Sequence, residues 1–468
     1  MMRVFFRADA NAEIGGGHMM RCMTIAAACA AEGGMPGAVA DAEGCEPPVA
    51  DAEGIEPPGA VADAEGIEPP ASAADDSSSL YCAGHSAEPV VSAPWRTSRP
   101  LSGTTDALKS GQEQGRSTEN MRPPGAADGM HAPCKAEVVF LCADENSARL
   151  PKEAGYETRV LGTDFREMET ELGMLASMFR ASGAAREDIV IVDSYYATDA
   201  YLDTLRKYAR IVLIEDELKK LRPVDVLINY NFSAERADYE DAYSGSAQLL
   251  LGPAYAPVRA QFQGRRVEIR DVVRNILILC GASDTLNAAA RIYRALSGAT
   301  AEVSGPGTSS DESAAEAAGS ASGTVSPQFH IVGGAYNPHI EELRALAKER
   351  GNLTIHEHVE DMASLMCGMD VCVTAGGSTM YELCAVGLPF VCFSVADNQR
   401  PLCEAVSAKI IAPYAGAMDL DAEGTLPQIV SYVLELTADR LLRATRQESQ
   451  RALIDGHGAE NIASALLS

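Results

Sequence analysis

Positive charge is scarce in this chain of 468 residues, which sets 38 Lys and Arg against 66 Asp and Glu. The net charge of −28 argues against nucleic acid or an anionic membrane surface as a partner, since both need basic patches. Aromatic residues make up only 6%, and Trp95 is the one tryptophan. No stretch reaches the roughly 18 apolar residues of a membrane span. The N-terminal Met1-Met2-Arg3-Val4-Phe5-Phe6-Arg7-Ala8-Asp9 has too short an apolar part for a secretory signal and reads as a first β-strand. The 12 cysteines form no CxxC pair and no regular framework. Cys142, Cys280, Cys372 and Cys392 fall inside apolar runs, where free cysteine behaves as a small buried hydrophobe, so a reducing cytoplasm fits best. Cys367 and Cys372 straddle a helix-to-strand boundary with no second ligand pair, so no metal is expected.

What is present is a hydrophobic fraction of 46%, enough for sizeable cores, interrupted by two stretches of another character. The first, about 35–135, contains Asp-Ala-Glu-Gly-Cys/Ile-Glu-Pro-Pro at 41–48, 51–58 and 63–70, and it holds Trp95. Each copy carries one apolar position, too few to offset its ordering entropy by burial. The second, about 301–327, is rich in Ser, Gly, Ala and Glu. Together they carry 20 Asp and Glu against 6 Lys and Arg, leaving −14 on the other 340 residues, ordinary for a soluble enzyme.

Outside those stretches, short β-branched runs alternate with helical ones. Strands are expected at Val4–Arg7, Ala136–Cys142, Tyr156–Leu161, Asp188–Val192, Ile211–Ile214 and Val224–Ile228, the last closing a first domain. A second series follows at Asn275–Cys280, Gln328–Val332, Leu353–His356, Asp370–Val373 and Pro389–Phe393. The pattern predicts an α/β protein with two doubly wound parallel sheets. The expected organisation is 1–265 and 272–445, with helical pieces to 468 packing back across the domains.

Four motifs carry candidate chemistry. After the first strand comes Gly15-Gly16-Gly17-His18, a glycine turn that lets a ligand approach the backbone and puts an imidazole at the sheet's carboxyl edge. The bland alternative is a surface histidine in a first helical turn. The second is Thr374-Ala375-Gly376-Gly377-Ser378-Thr379-Met380-Tyr381-Glu382, whose helix N-terminus and hydroxyls suit a diphosphate, with Glu382 placed to accept ribose hydroxyls. A capping box is its alternative. A similar turn, Cys280-Gly281-Ala282-Ser283-Asp284, opens the same domain. Third, Asp397-Asn398-Gln399-Arg400-Pro401 offers amides for sugar or phosphate, or plain turn chemistry. Fourth, Asp193-Ser194-Tyr195-Tyr196 puts an aromatic hydroxyl at a strand end, where it could stack on a sugar. His356-Glu357-His358 reads as two packing histidines on one strand face.

This combination resembles the UDP-2,4-diacetamido-2,4,6-trideoxy-β-L-altropyranose hydrolases of pseudaminic acid biosynthesis, relatives of the peptidoglycan N-acetylglucosaminyltransferase. The matching stretches are RADANAEIGGGHMMRC (7–22), AEVVFLC (136–142), VDSYYATDAYLDTLR (192–206), LGPAYAPVRAQF (251–262), ILILCGASD (276–284), AGGSTMYELCAVGLPFV (375–391) and NQ (398–399). The resemblance implies a GT-B fold, two facing Rossmann-like domains with the active site in the cleft between them. It implies His18 as the base that activates water, without metal or cofactor, in a cytoplasmic, monomeric enzyme acting on a UDP-sugar. The implied substrate contacts fall on Asp9, Gly17, Tyr195, Arg259, Ser283, Gly377, Ser378, Thr379, Glu382, Asn398 and Gln399. Where the family has Asp-Asp and Gly-Gly-Ser-Asp, this chain has Glu215-Asp216 and Gly281-Ala282-Ser283-Asp284. Neither departure is expected to touch the chemistry.

Overall fold

Strand β1 (Met2–Ala8) shows how the sequence builds the first layer. Side chains alternate across a strand, so Val4, Phe6 and Ala8 pack into one core while Phe5 enters the other. Phe6 stacks on its register partner Phe140 with centroids 5.1 Å apart, and Phe5 meets Phe179 edge-on at 5.2 Å. Arg7, on the Phe5 face, is fully buried and survives there because Glu171 lies 2.8 Å from its Nε and Asp9 pairs with its Nη1. A buried charge persists only with partners of this kind.

The structure, a computed structural model, describes residues 2–11, 16–32, 136–216, 221–234, 236–243, 245–281, 283–303, 326–334 and 337–468. Gly15, Trp95, the whole 35–135 stretch and residues 304–325 lie outside the described residues. After β1 come α1 (Gly17–Glu32), β2 (Ala136–Cys142), α2 (Glu145–Glu153), β3 (Glu157–Val160), α3 (Leu172–Ala181), β4 (Ile189–Asp193), α4 (Asp199–Leu205), β5 (Arg210–Ile214), β6 (Val226–Asn229), α5 (Arg236–Tyr243) and β7 (Gln248–Leu251). The second series is β8 (Asn275–Leu279), α6 (Ala288–Val303), β9 (Gln328–Val332), α7 (Ile340–Glu349), β10 (Leu353–His356), α8 (Met362–Cys367), β11 (Val371–Ala375), α9 (Thr379–Val386), β12 (Phe390–Ser394), α10 (Arg400–Ala408) and β13 (Tyr414–Ala417). The chain ends in α11 (Ala422–Ala438), α12 (Arg440–Leu453) and α13 (Gly458–Leu467).

Two parallel sheets result, ordered β3-β2-β1-β4-β5-β6-β7 and β10-β9-β8-β11-β12-β13. Each reverses direction beside its first strand, between β1 and β4 and between β8 and β11, the crevice where open α/β sheets bind ligands. All eleven expected strands form, with ends shifted by a residue or two. Two more join as edges, and β6 does not close the first sheet: β7 pairs beside it. The other, β13 (YAGA), has little β-branched character and a glycine at φ +120°, so it is held by pairing with β12 rather than by its own preference.

Between and behind the sheets the C-terminal helices clamp backbone. Gln447 of α12 donates to the carbonyls of Val267 (2.7 Å) and Gly387 (3.0 Å), and buried Arg443 donates to Leu436 (2.5 Å) and Arg270 (2.6 Å). Helix α13 packs on α1. It comes so close to the chain after β7 that a Cβ at Gly458 would lie 2.0 Å from the Ala256 carbonyl oxygen. Two Rossmann-type sheets whose carboxyl edges border the same cavities constitute the GT-B architecture. Among the described residues no helix is long and apolar enough to cross a membrane.

Candidate active site

The register of the first sheet sets one wall. Ala8, the last residue of β1, pairs with Asp193, the last of β4, so the loop leaving β1 and the Asp193 carboxylate meet at the switch point. Helix α1 starts there, and its first turn carries His18 and, three residues on, Arg21 on the same face. His18 Nδ1 lies 2.6 Å from Asp193 Oδ1. Arg21 grips Asp193 with two bonds of 2.5 Å, from Nε to Oδ2 and from Nη2 to Oδ1. Its Nη1 reaches Asp216 (3.0 Å) and the Tyr230 hydroxyl (2.7 Å). Tyr195 donates its hydroxyl to Asp216 at 2.9 Å and sets its ring edge-on to His18, centroids 4.8 Å apart. Burial alone would raise the Asp193 carboxyl, but the charges and hydrogen bonds of Arg21 and His18 hold it well below the usual carboxylate range. Burial and the Asp216 charge push the Tyr195 hydroxyl up, so it remains a donor.

The second sheet supplies the other wall. After β11, Gly376 and Gly377 turn the chain into α9, with Ser378 at its N-cap and Thr379 as its first residue. A Cβ on Gly376 would sit 2.7 Å from Cys403 Sγ and 3.0 Å from Gln399 Cβ, so this glycine lets the α10 region pack against the turn. Gly377 has no atom within 4 Å of its Cβ position and faces open space. Ser378 makes no side-chain capping bond, and Glu382 turns away to accept from Arg259 Nε at 2.7 Å. The capping-box alternative is thereby removed. Burial pushes the Glu382 carboxyl up, and Arg259 pulls it part of the way back. After β8, Gly281 takes φ +81°, and the Asp284 carboxylate accepts from the N–H groups of Ala288 (2.7 Å) and Ala289 (3.1 Å), opening α6.

These walls enclose two adjoining cavities of about 510 and 620 Å³ that share Gly17, Arg21, Tyr230, Gly377, Ser378 and Tyr381, the size of a small-molecule site. Arg259, Ser283, Thr379 and Glu382 line the first, His18, Tyr195 and Asn398 the second, and Gln399 both. Gln399 also spends its Oε1 on the Val395 N–H at 2.9 Å. Asp9 stands apart from both cavities. It is buried against Arg7 and accepts from the Ala143 N–H at 2.8 Å, because Arg7 on the same strand needs a second counter-charge.

Several residues here were not anticipated. Asp216, the second residue of the Glu215-Asp216 pair, lines the second cavity, while Gly281, Ser283 and Asp284 of the expected turn line the first. Asp193, which the sequence marks only as the residue before Ser194 and the tyrosines, lies 2.6 Å from the imidazole. Tyr381 donates to Asn231 Oδ1 at 3.0 Å and stacks on Phe232 at 5.0 Å, joining the two walls. Strand-end position was the available signal for Asp193 and Asp216. No spacing in the sequence announces the Tyr381–Asn231 pair, 150 residues apart. The His356–His358 pairing also resolves differently, since His358 lies beyond β10 and exposed while His356 bonds His330, ring nitrogens 3.0 Å apart.

No family model matches the chain. The spore coat polysaccharide biosynthesis protein SpsG of Bacillus subtilis is 24% identical over 306 residues, covering 64% of this chain and 82% of its own. The UDP-2,4-diacetamido-2,4,6-trideoxy-β-L-altropyranose hydrolase of Campylobacter jejuni is 23% identical over 218 residues, covering 46% of this chain and 68% of its own. Among solved structures, Acinetobacter baumannii MurG matches with a TM-score of 0.48 and 13% identity, over 71% of this chain and 91% of that one. In sequence the chain is thus similar to a spore coat polysaccharide biosynthesis protein and to a UDP-2,4-diacetamido-2,4,6-trideoxy-β-L-altropyranose hydrolase, and its two glycine turns and paired parallel sheets accompany that likeness.

Proposed function

We propose that the chain hydrolyses the anomeric C1–O bond of a UDP-activated diacetamido-trideoxyhexose, releasing UDP and free sugar with inversion. One juxtaposition carries the reading: His18 from the first sheet and the Gly377-Ser378 turn from the second border one cavity. The Campylobacter relative, named for this hydrolysis, supports the choice of substrate. In the proposed step the His18 imidazole takes a proton from water as the water oxygen attacks C1. The bond from C1 to the diphosphate breaks on the opposite face, and its electron pair leaves on the β-phosphate oxygen. The N–H groups of the first turn of α9 and the Ser378 and Thr379 hydroxyls meet that charge. Glu382 accepts the ribose hydroxyls, and Tyr195, Asp216 and Asn398 surround the sugar.

A general base contributes about 10²–10⁴-fold to rate. His18→Asn is therefore expected to bind UDP normally in calorimetry and to lose turnover by that order. Hydrolysis by this variant at the wild-type rate would overturn the reading. Transfer of the same sugar to an acceptor hydroxyl is the second reading, supported by the relative covering the larger share of the chain, which is named for polysaccharide biosynthesis. Proton NMR of the UDP-sugar incubated without acceptor tests them: steady release of free sugar means hydrolysis, and an unchanged spectrum overturns it, leaving transfer or nucleotide-sugar binding without turnover.

A further inference from the structure

Beneath the His18 ring, four polar side chains close a ring of contacts. His18 meets Asp193, Asp193 holds Arg21, Arg21 reaches Asp216, and Asp216 accepts from Tyr195, whose ring returns to His18. We propose that Asp193 is a positioning residue that keeps the proton of neutral His18 on Nδ1, leaving Nε2 as the bare lone pair facing the substrate. This rests on the reading of His18 as the base.

The contact distance carries the argument. A carboxylate oxygen only accepts, so a 2.6 Å approach to Nδ1 requires a hydrogen on Nδ1. The other tautomer would press two lone pairs together at that distance. Arg21 Nη2 also lies 3.0 Å from Nδ1, but it converges on the same Asp193 oxygen at 2.5 Å, so both donors share one acceptor. The two-bond grip of Arg21 stops the Asp193 carboxylate from rotating, and Asp216 and Tyr230 fix Arg21 in turn. Cys22, whose sulfur is 3.6 Å from Asp193 Oδ2, is buried and kept as a neutral thiol.

Charge points the same way. Two carboxylates around one guanidinium give the cluster −1 while His18 is neutral and zero once it has taken a proton. The imidazolium that the proposed step creates therefore lies against a carboxylate whose cluster it neutralises, which stabilises that intermediate state.

The test uses the full chain labelled with ¹⁵N-histidine at pH 8, the His18 signals being those lost in His18→Asn. The expected result is a protonated Nδ1 and an unprotonated Nε2; a wild-type His18 protonated on Nε2 overturns the proposal. Asp193→Asn should lose kcat by about 10³–10⁴-fold with KM and UDP affinity changed less than about threefold. Wild-type kcat in Asp193→Asn also overturns the proposal, and if that variant does not fold, the wild-type tautomer decides. An active His18→Asn with the Nδ1 proton in place would instead sink the base reading alone.

Discussion

Arg259 and Glu382 meet across the cleft, Nε to Oε1 at 2.7 Å, tying the chain that leaves the first sheet to the helix behind the glycine turn of the second. Burial raises the Glu382 carboxyl, and the charge and hydrogen bond of Arg259 oppose part of that rise, favouring the ionised acceptor.

Arg259→Ala should therefore weaken UDP binding by about tenfold at pH 7.5, the equivalent of about 1.4 kcal/mol. The loss should deepen as pH falls. A carboxyl raised further by losing its cation is charged only above its new pKa, and acidification through that value removes the ribose acceptor. Calorimetry with UDP at pH 7.5 and 5.5 checks this. Parallel pH dependence in variant and wild type would remove Glu382 from the binding site.

Gly376 and Gly377 make different demands. Gly376→Ala forces a methyl to 2.7 Å from Cys403 Sγ and 3.3 Å from the Gln399 carbonyl, an overpacking expected to cost about 1–3 kcal/mol in a thermal melt. Gly377→Ala meets nothing within 4 Å, so its stability should stay within about 0.5 kcal/mol of wild type. Its UDP affinity should nevertheless fall at least about tenfold if the diphosphate lies on this turn as proposed, since the new methyl would then stand in its path. Normal UDP binding by Gly377→Ala would move the diphosphate elsewhere.

His330 and His356 give the fold an acid-sensitive point remote from the cleft. Burial lowers the proton affinity of both rings, and His356 lowers that of His330 further. The unfolded chain, with histidines near pKa 6.5, then binds protons before the folded one does. Stability is full above that value and declines as pH falls through it toward the folded pKa values. Urea midpoints at pH 7.5 and 5.0 should differ more in the wild type than in His330→Gln/His356→Gln. Equal acid sensitivity in the two proteins would place the effect elsewhere.

The strands were legible because an apolar β-branched run such as NILIL at β8 reports its own burial, and the glycine turns were legible because few residues allow a chain to turn so closely before a helix. His18, Ser378 and Thr379 stand out for that reason, as residues whose place on the sheet edge follows from local order. Edge strand β13 did not, since its YAGA composition gains its structure only from β12 beside it.

What lay beyond the sequence was which polar groups meet. Asp9 and Asp193 both stand at the ends of apolar strands, yet one is taken by Arg7 and the other receives His18 and Arg21. The sequence by itself determined that a histidine would stand at the mouth of the first sheet. Only the tertiary structure decided what stands under it, because the register Ala8 to Asp193 joins residues 185 apart, and ion pairing depends on distances of a few ångströms that no local pattern encodes.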